Sequence, residues 1–185
     1  MKKLLYILLL FSPILALAQS KGEFILTPNG FVNKDDVSLN YVLIDYPGES
    51  QTDLYKKTLK YLNTQFTSPK DALSLVENES ITINTIDNRV PVQGYAGLFT
   101  VNYTLTIEFK DNKLRILAPS INQIYGYPVR DVITIGVTGD RFNKTIYNSK
   151  GDLKLEKTKQ VLELIFKSWI IRTKLAMEKA KSDTW

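Results

Sequence analysis

The sequence predicts an α+β fold in two layers, an antiparallel sheet with helices on one face. Three patterns carry that prediction. From Phe99 to Phe109 apolar and polar residues alternate without a break: Phe99, Val101, Tyr103, Leu105, Ile107 and Phe109 share one face, and Thr100, Asn102, Thr104, Thr106 and Glu108 share the other. Strict alternation of this length fixes strand type and register together, because a slip of one residue would turn the whole apolar set to water. Earlier in the chain, Tyr55, Leu59, Leu62 and Phe66 recur at helical spacing, with Lys56, Lys57, Lys60 and Asn63 off the stripe. The helical period returns from about Leu153 to Lys181, where Leu155, Leu162, Ile165 and Trp169 form a stripe that Val161, Leu164, Ile171 and Leu175 broaden.

In chain order, Met1-Lys-Lys3, the apolar run Leu4 to Leu15 and Ala16-Leu-Ala18 have the three parts of a secretory signal peptide. The apolar run is shorter than the ~20 residues that span a bilayer. Residues 1–18 are therefore expected to be removed, leaving a single domain over 19–185. With no cysteine to carry a lipid anchor, the expected product is periplasmic or secreted and not a lipoprotein.

Glu23 to Thr27 and Tyr41 to Tyr46 read as strands, closed by the turn signals Pro28-Asn-Gly30 and Pro47-Gly48. Ser50 or Thr52 can cap the first helix, and Asp53 stands three residues after Ser50 in a capping-box arrangement. Leu73–Val76 and Ile81–Ile86, parted by Glu77-Asn-Glu79, suit a hairpin. After the long strand, Asp111-Asn112 supplies a turn, and Leu114, Ile116 and Ala118 continue the alternation until Pro119 closes it. From Ser120 to Gly151 the pattern loosens into turns with interspersed aromatics, with a further strand near Ile133–Val137. Gly151-Asp152 marks the start of the last helix.

Composition removes much chemistry. The chain has no histidine and no cysteine, which excludes Ser-His-Asp triads, Cys-His pairs, His-bearing metal sites and disulfides. Once Lys2 and Lys3 are removed, 22 basic side chains face 19 acidic ones, a net +3. Residues 153–185 hold eight Lys/Arg against four Asp/Glu, so the basic character belongs to the C-terminal segment.

The segments Tyr41-Val-Leu-Ile-Asp-Tyr-Pro-Gly48, Asp53-Leu-Tyr-Lys-Lys-Thr-Leu-Lys-Tyr-Leu62 and Tyr103-Thr-Leu-Thr-Ile-Glu-Phe-Lys-Asp-Asn-Lys-Leu-Arg115 resemble an exported bacterial family, the domain of unknown function 4468. Tyr147-Asn-Ser-Lys-Gly-Asp-Leu153 and the helix after it are also similar to tails common in that family. The resemblance covers about Glu23 to Lys181, and the irregular stretch 120–150 departs from it by its length. It implies a TATA-binding-protein-like (TBP-like) fold of β-α-β4-α topology and an exported address. It implies no activity and no functional residues.

The polar row Thr100, Asn102, Thr104 and Thr106, flanked by Thr82 and Asn84, is the first candidate surface. TATA-binding protein binds DNA through its sheet, but that analogy is one of fold alone. Phosphate neutralisation needs clustered Lys/Arg, and this face offers only Lys113 and Arg115 beside Glu108, so no nucleic acid is expected. The second candidate is the aromatic set Tyr125, Tyr127, Phe142 and Tyr147, whose rings either bind a sugar or peptide or staple the loop to the core. The last helix reads as a core helix with a Glu163–Lys167 pair, and no membrane association is expected after cleavage. Carboxylates are the remaining acid/base candidates: Asp35-Asp36, Glu77 with Glu79, and Asp131 with Asp140. Asp140-Arg-Phe-Asn143 lacks the calcium-loop rhythm, and no glycine pair makes a nucleotide fingerprint, so no metal and no cofactor are expected. The expectation is a non-enzymatic binding or assembly domain with an envelope protein or glycan as partner. The rivals are a carboxylate-based hydrolase of envelope glycans and a structural partner of an envelope complex.

Overall fold

The computed structural model describes residues 22–126, 131–136 and 144–182. The expected leader, Tyr127, Phe142 and the Asp140 turn lie outside the described residues. In chain order the elements are β1 (Phe24–Thr27), β2 (Gly30–Asn33), β3 (Tyr41–Asp45), α1 (Gln51–Gln65), α2 (Pro69–Ala72), β4 (Leu73–Val76) and β5 (Ser80–Pro91). They continue with β6 (Leu98–Lys110), β7 (Lys113–Leu117), β8 (Ser120–Gly126), β9 (Val132–Thr134), β10 (Lys144–Thr145) and α3 (Glu156–Ser182). The expected β-α-β4-α order is present as β3, α1, β4 to β7 and α3. The hairpin β1–β2 precedes it, and β8 to β10 are inserted before the last helix.

Strand β6 is the axis of the main sheet. One edge pairs with β5, and the other pairs first with β7 and then with β8. The fork is at Pro119, which has no N–H to give a ladder, and the chain resumes pairing at Ser120 opposite Thr104. Beyond the fork β7 carries β3, β8 carries β9 and β10, and β4 lies outside β5. The described pairings are antiparallel except β9–β10. The reading of 120–126 as irregular is thus corrected. A bulge at Asn122 puts Ile121 opposite Tyr103 and Gln123 opposite Asn102, which breaks the two-residue period that marks a strand.

The alternation of β6 is realised in full. Phe99, Val101, Tyr103, Leu105, Ile107 and Phe109 are all buried under the helices, together with Ile81, Ile83, Leu114, Ile116, Val42 and Ile44 from the neighbouring strands. Each such side chain contributes about 1.5–3 kcal/mol by leaving water. Helix α1 begins at Ser50, whose hydroxyl accepts from Asp53 N (3.1 Å) and donates to Asp53 Oδ2 (2.7 Å). That helix buries Leu54, Tyr55, Thr58 and Leu62, and Tyr55 meets Phe109 edge to face at 5.6 Å. Two left-handed residues close the hairpins: Asn78 at φ 60° between β4 and β5, and Asn112 at φ 65° between β6 and β7.

Helix α3 buries Thr158, Leu162, Phe166, Trp169, Ile170, Thr173 and Met177. Leu164, Ile171 and Leu175 do not broaden that stripe; they are exposed. At 100° per residue they lie roughly 180–220° round the helix from Leu162, on the face away from the sheet. The hairpin β1–β2 clasps the helix: Leu26 N donates to Glu163 Oε1 (2.9 Å), and Phe31 packs edge to face on Phe166 at 4.8 Å. The expected Glu163–Lys167 pair is replaced by two others, Lys159–Glu163 and Lys167–Glu23, both at 2.6 Å.

Candidate functional site

With the helices on the core face, the even-numbered residues of β6 form an outer face that no described element covers. The register assembles a polar field across three strands. Thr82 and Thr106 share a hydroxyl hydrogen bond at 3.1 Å, and Thr104 Oγ1 donates to Asn84 Oδ1 at 2.9 Å. From β8, Asn122 Nδ2 reaches Asn102 Oδ1 (3.3 Å) and Thr104 Oγ1 (3.2 Å). Thr100 Oγ1 donates to Asn88 Oδ1 at 3.0 Å. Cross-strand pairs of this kind contribute about 0.2–1 kcal/mol each and hold their rotamers.

The structure brings together most of the residues singled out from the sequence. Thr100, Asn102, Thr104 and Thr106 form one row, and Tyr125 stands directly opposite Thr100 on the same face. Tyr127 and Phe142 lie outside the described residues. Tyr147 takes the other role open to it: it is buried, and its hydroxyl donates to Leu26 O, stapling its segment to β1. Burial pushes the Tyr147 hydroxyl pKa up, and the charge of Glu163 adds to that. Asn88, Ser120, Asn122 and Gln123 belong to the face but escaped the sequence reading. Two bulges hide them, one between Asp87 and Val90 and one between Asn102 and Tyr103 in the pairing. The signal that could have found them is the odd spacing of Ile83 to Val90 and of Ile121 to Ile124, an alternation with one residue added.

Toward β3 the same face deepens into a groove of about 810 Å³, lined by Tyr41, Leu43, Glu79, Ser80, Glu108, Lys110, Asp111, Lys113 and Arg115. Arg115 clasps Glu108 and lies over the Tyr41 ring at 5.3 Å. Asp111 Oδ1 accepts from Gln51 N at 2.8 Å, and Asn112 Oδ1 accepts from Gly48 N at 2.7 Å, so this turn anchors the start of α1. Three acidic side chains balance three basic ones in the groove. Exposed Leu43, Ile86 and Leu98 add scattered apolar area to the face. The other acids named from the sequence sit apart: Asp35 and Asp36 take loop N–H groups of Gly22 and Ser38, and Asp131 immediately precedes β9. Among the described residues no three His, Cys, Asp or Glu side chains come close enough to hold a metal ion.

Comparison with known proteins agrees with this architecture. A family model described as a domain of unknown function (DUF4468) with TBP-like fold matches residues 41–123, from β3 into β8. A solved DUF4468 family protein from Bacteroides ovatus ATCC 8483 is similar at 13% identity, with a TM-score of 0.53 over 74% of this chain and 83% of that one. A TBP-like protein from Parabacteroides distasonis ATCC 8503 is similar at 12% identity, with a TM-score of 0.41 over 49% of this chain and 58% of that one. A search of the curated proteins finds no match. At such identities the Bacteroides ovatus structure speaks to the fold alone. Over residues 41–123 this chain therefore matches the model of the domain of unknown function DUF4468, and its fold there is TBP-like.

Proposed function

We propose that this chain is an exported, non-enzymatic binding or assembly domain that docks an envelope protein or glycan through the outer face of its sheet. One observation carries the reading. The Thr/Asn field satisfies its own hydrogen bonds across strands, so a partner meets an ordered surface and little rotamer freedom is lost on contact. Tyr125, Tyr41 and Leu43 supply apolar area at its rim. The balanced charge of the groove favours a protein or glycan over a polyanion, which would call for a net basic surface.

The test is crosslinking and capture from the cell envelope with the wild-type protein and with Asn102→Arg/Thr104→Arg. A species captured by the wild type and lost in this variant, at unchanged circular dichroism, supports the reading. Equal capture by both refutes it, and protease or glycosidase treatment of the species tells protein from glycan. N-terminal sequencing of the exported form tests the removal of residues 1–18.

The hydrolase reading keeps one observation in its favour, the presence of Glu79, Glu108 and Asp111 in one groove. Glu108 is held by Arg115 and Asp111 by the backbone of Gln51, which are structural engagements. Release of reducing ends from envelope glycans that Glu79→Gln and Glu108→Gln both abolish would establish hydrolysis instead.

A further inference from the structure

On the core side of the sheet, away from the outer face, α1, α3 and β5 leave a cavity of about 320 Å³ at the sheet edge. Strand β4 begins opposite Ile83, and among the described residues no strand pairs with that edge of β5 from Asn84 onward, its other edge being paired with β6. Here β5 turns two polar side chains, Thr85 and Asp87, to the face that elsewhere carries Ile81 and Ile83. A hydrogen-bonded chain fixes the inner wall: Trp169 Nε1 donates to Tyr103 Oη (2.7 Å), and Tyr103 Oη donates to Asp87 Oδ2 (3.0 Å). The Asp87 carboxylate is thereby oriented. Arg172 stands on α3 one turn beyond Ser168 and lines the same cavity. Among the described residues it makes no ion pair. Burial pushes the Tyr103 hydroxyl pKa up, the Trp169 hydrogen bond opposes this, the Asp87 charge adds to it and the Arg172 charge opposes it. Both charges therefore act on one point. Phe66 and Trp169, near parallel at 18° and 6.3 Å between centroids, form the apolar side with Ile165.

We propose that this cavity binds a small zwitterion of the α-amino acid class, its ammonium on Asp87, its carboxylate on Arg172 and its apolar side chain on Phe66 and Trp169. A single ligand then pairs both protein charges, so neither is left desolvated without a partner. The volume stands at the lower end of ligand pockets, about 300 Å³, which admits one or two residues and no polymer. A lone anion or cation would leave one of the two charges unmatched.

Trp169 reports on the site directly. The sequence holds two tryptophans, so a Trp185→Phe background makes its emission specific. Titration of the purified protein with L-leucine should give a saturable change in emission. N-acetyl-L-leucine and L-leucine methyl ester, each lacking one charge, should bind at least about tenfold more weakly. Asp87→Asn and Arg172→Met should weaken L-leucine binding to the same degree, with the far-ultraviolet circular dichroism unchanged. The proposal is overturned by the absence of saturation with L-leucine, L-methionine and L-phenylalanine up to about 10 mM, by equal binding of the acetylated or esterified forms, or by undiminished binding to Arg172→Met. Arg172 is exposed, so that variant keeps the test decisive if Asp87→Asn fails to fold.

Discussion

Replacing Tyr103 by phenylalanine leaves the ring packing against Phe166 in place and removes one oxygen from the middle of a buried hydrogen-bonded chain. Tyr103 is 1% exposed and Trp169 7%, so the indole N–H loses its acceptor at a buried position, at a cost of about 1–3 kcal/mol. Asp87 is half-buried at the cavity mouth and regains water, so its share is small. Trp169→Phe costs roughly 1–3 kcal/mol by loss of volume, but leaves Tyr103 still bonded to Asp87 and no donor orphaned. The double variant contains no indole, so the penalty of an unpaired N–H disappears from it. Its cost should fall short of the sum of the single costs by about 1–2 kcal/mol. Urea denaturation followed by far-ultraviolet circular dichroism measures all four corners of the cycle. For a domain of this size, 2 kcal/mol corresponds to about 4–8 °C in Tm. Single costs that add within about 0.3 kcal/mol would refute the chain as a coupled unit.

Three other perturbations test the fold at separate points. Ser50→Ala removes the cap of α1 and should cost about 0.5–2 kcal/mol in denaturation, whereas Thr52→Ala should be close to neutral. Tyr46→Phe and Thr173→Val should each hold or raise Tm, because the Tyr46 and Thr173 hydroxyls are buried with no hydrogen-bond partner among the described residues; a loss of several degrees in either would mean that the hydroxyl is engaged. Glu23 has its pKa lowered by hydrogen bonds from Lys167 and Lys34, so its folded form binds a proton less readily than the unfolded chain. The stabilisation it brings is complete above the unfolded value of 4.5 and is lost as pH falls through the lower folded one. The Tm gap between wild type and Glu23→Gln should accordingly stay constant above about pH 5 and close toward pH 2, and a pH-independent gap would refute the linkage.

The sequence by itself determined the elements whose pattern is periodic. In β6 and β7 each residue's neighbours along the chain announce its face, because the pleat repeats every two residues; in α1 the period marked the helix, but the buried face turned out to be Leu54, Tyr55, Thr58 and Leu62, with Leu59 half-buried and Phe66 beyond the helix end. The cap at Ser50, the turns at Asn78 and Asn112 and the polar row from Thr100 to Thr106 were legible for the same local reason. Tertiary structure decided whatever depends on a residue added to a strand or on the choice between two apolar helix faces. Pro119 ends one ladder, and β8 starts another on the same edge of β6, which no local signal states. The bulges between Asp87 and Val90 and at Asn122 shift parity, so even-numbered Val90 joins Ile81 and Ile83 in the core, and Asn122 and Gln123 both face outward between Ile121 and Ile124. In α3, Leu164, Ile171 and Leu175 carry the same hydrophobicity as Leu162 and Phe166, and only the placement of the sheet separates them. The side cavity has the same origin. Asp87, Tyr103, Trp169 and Arg172 are spread along the chain, and their meeting comes from α3 crossing the core face where β4 does not reach.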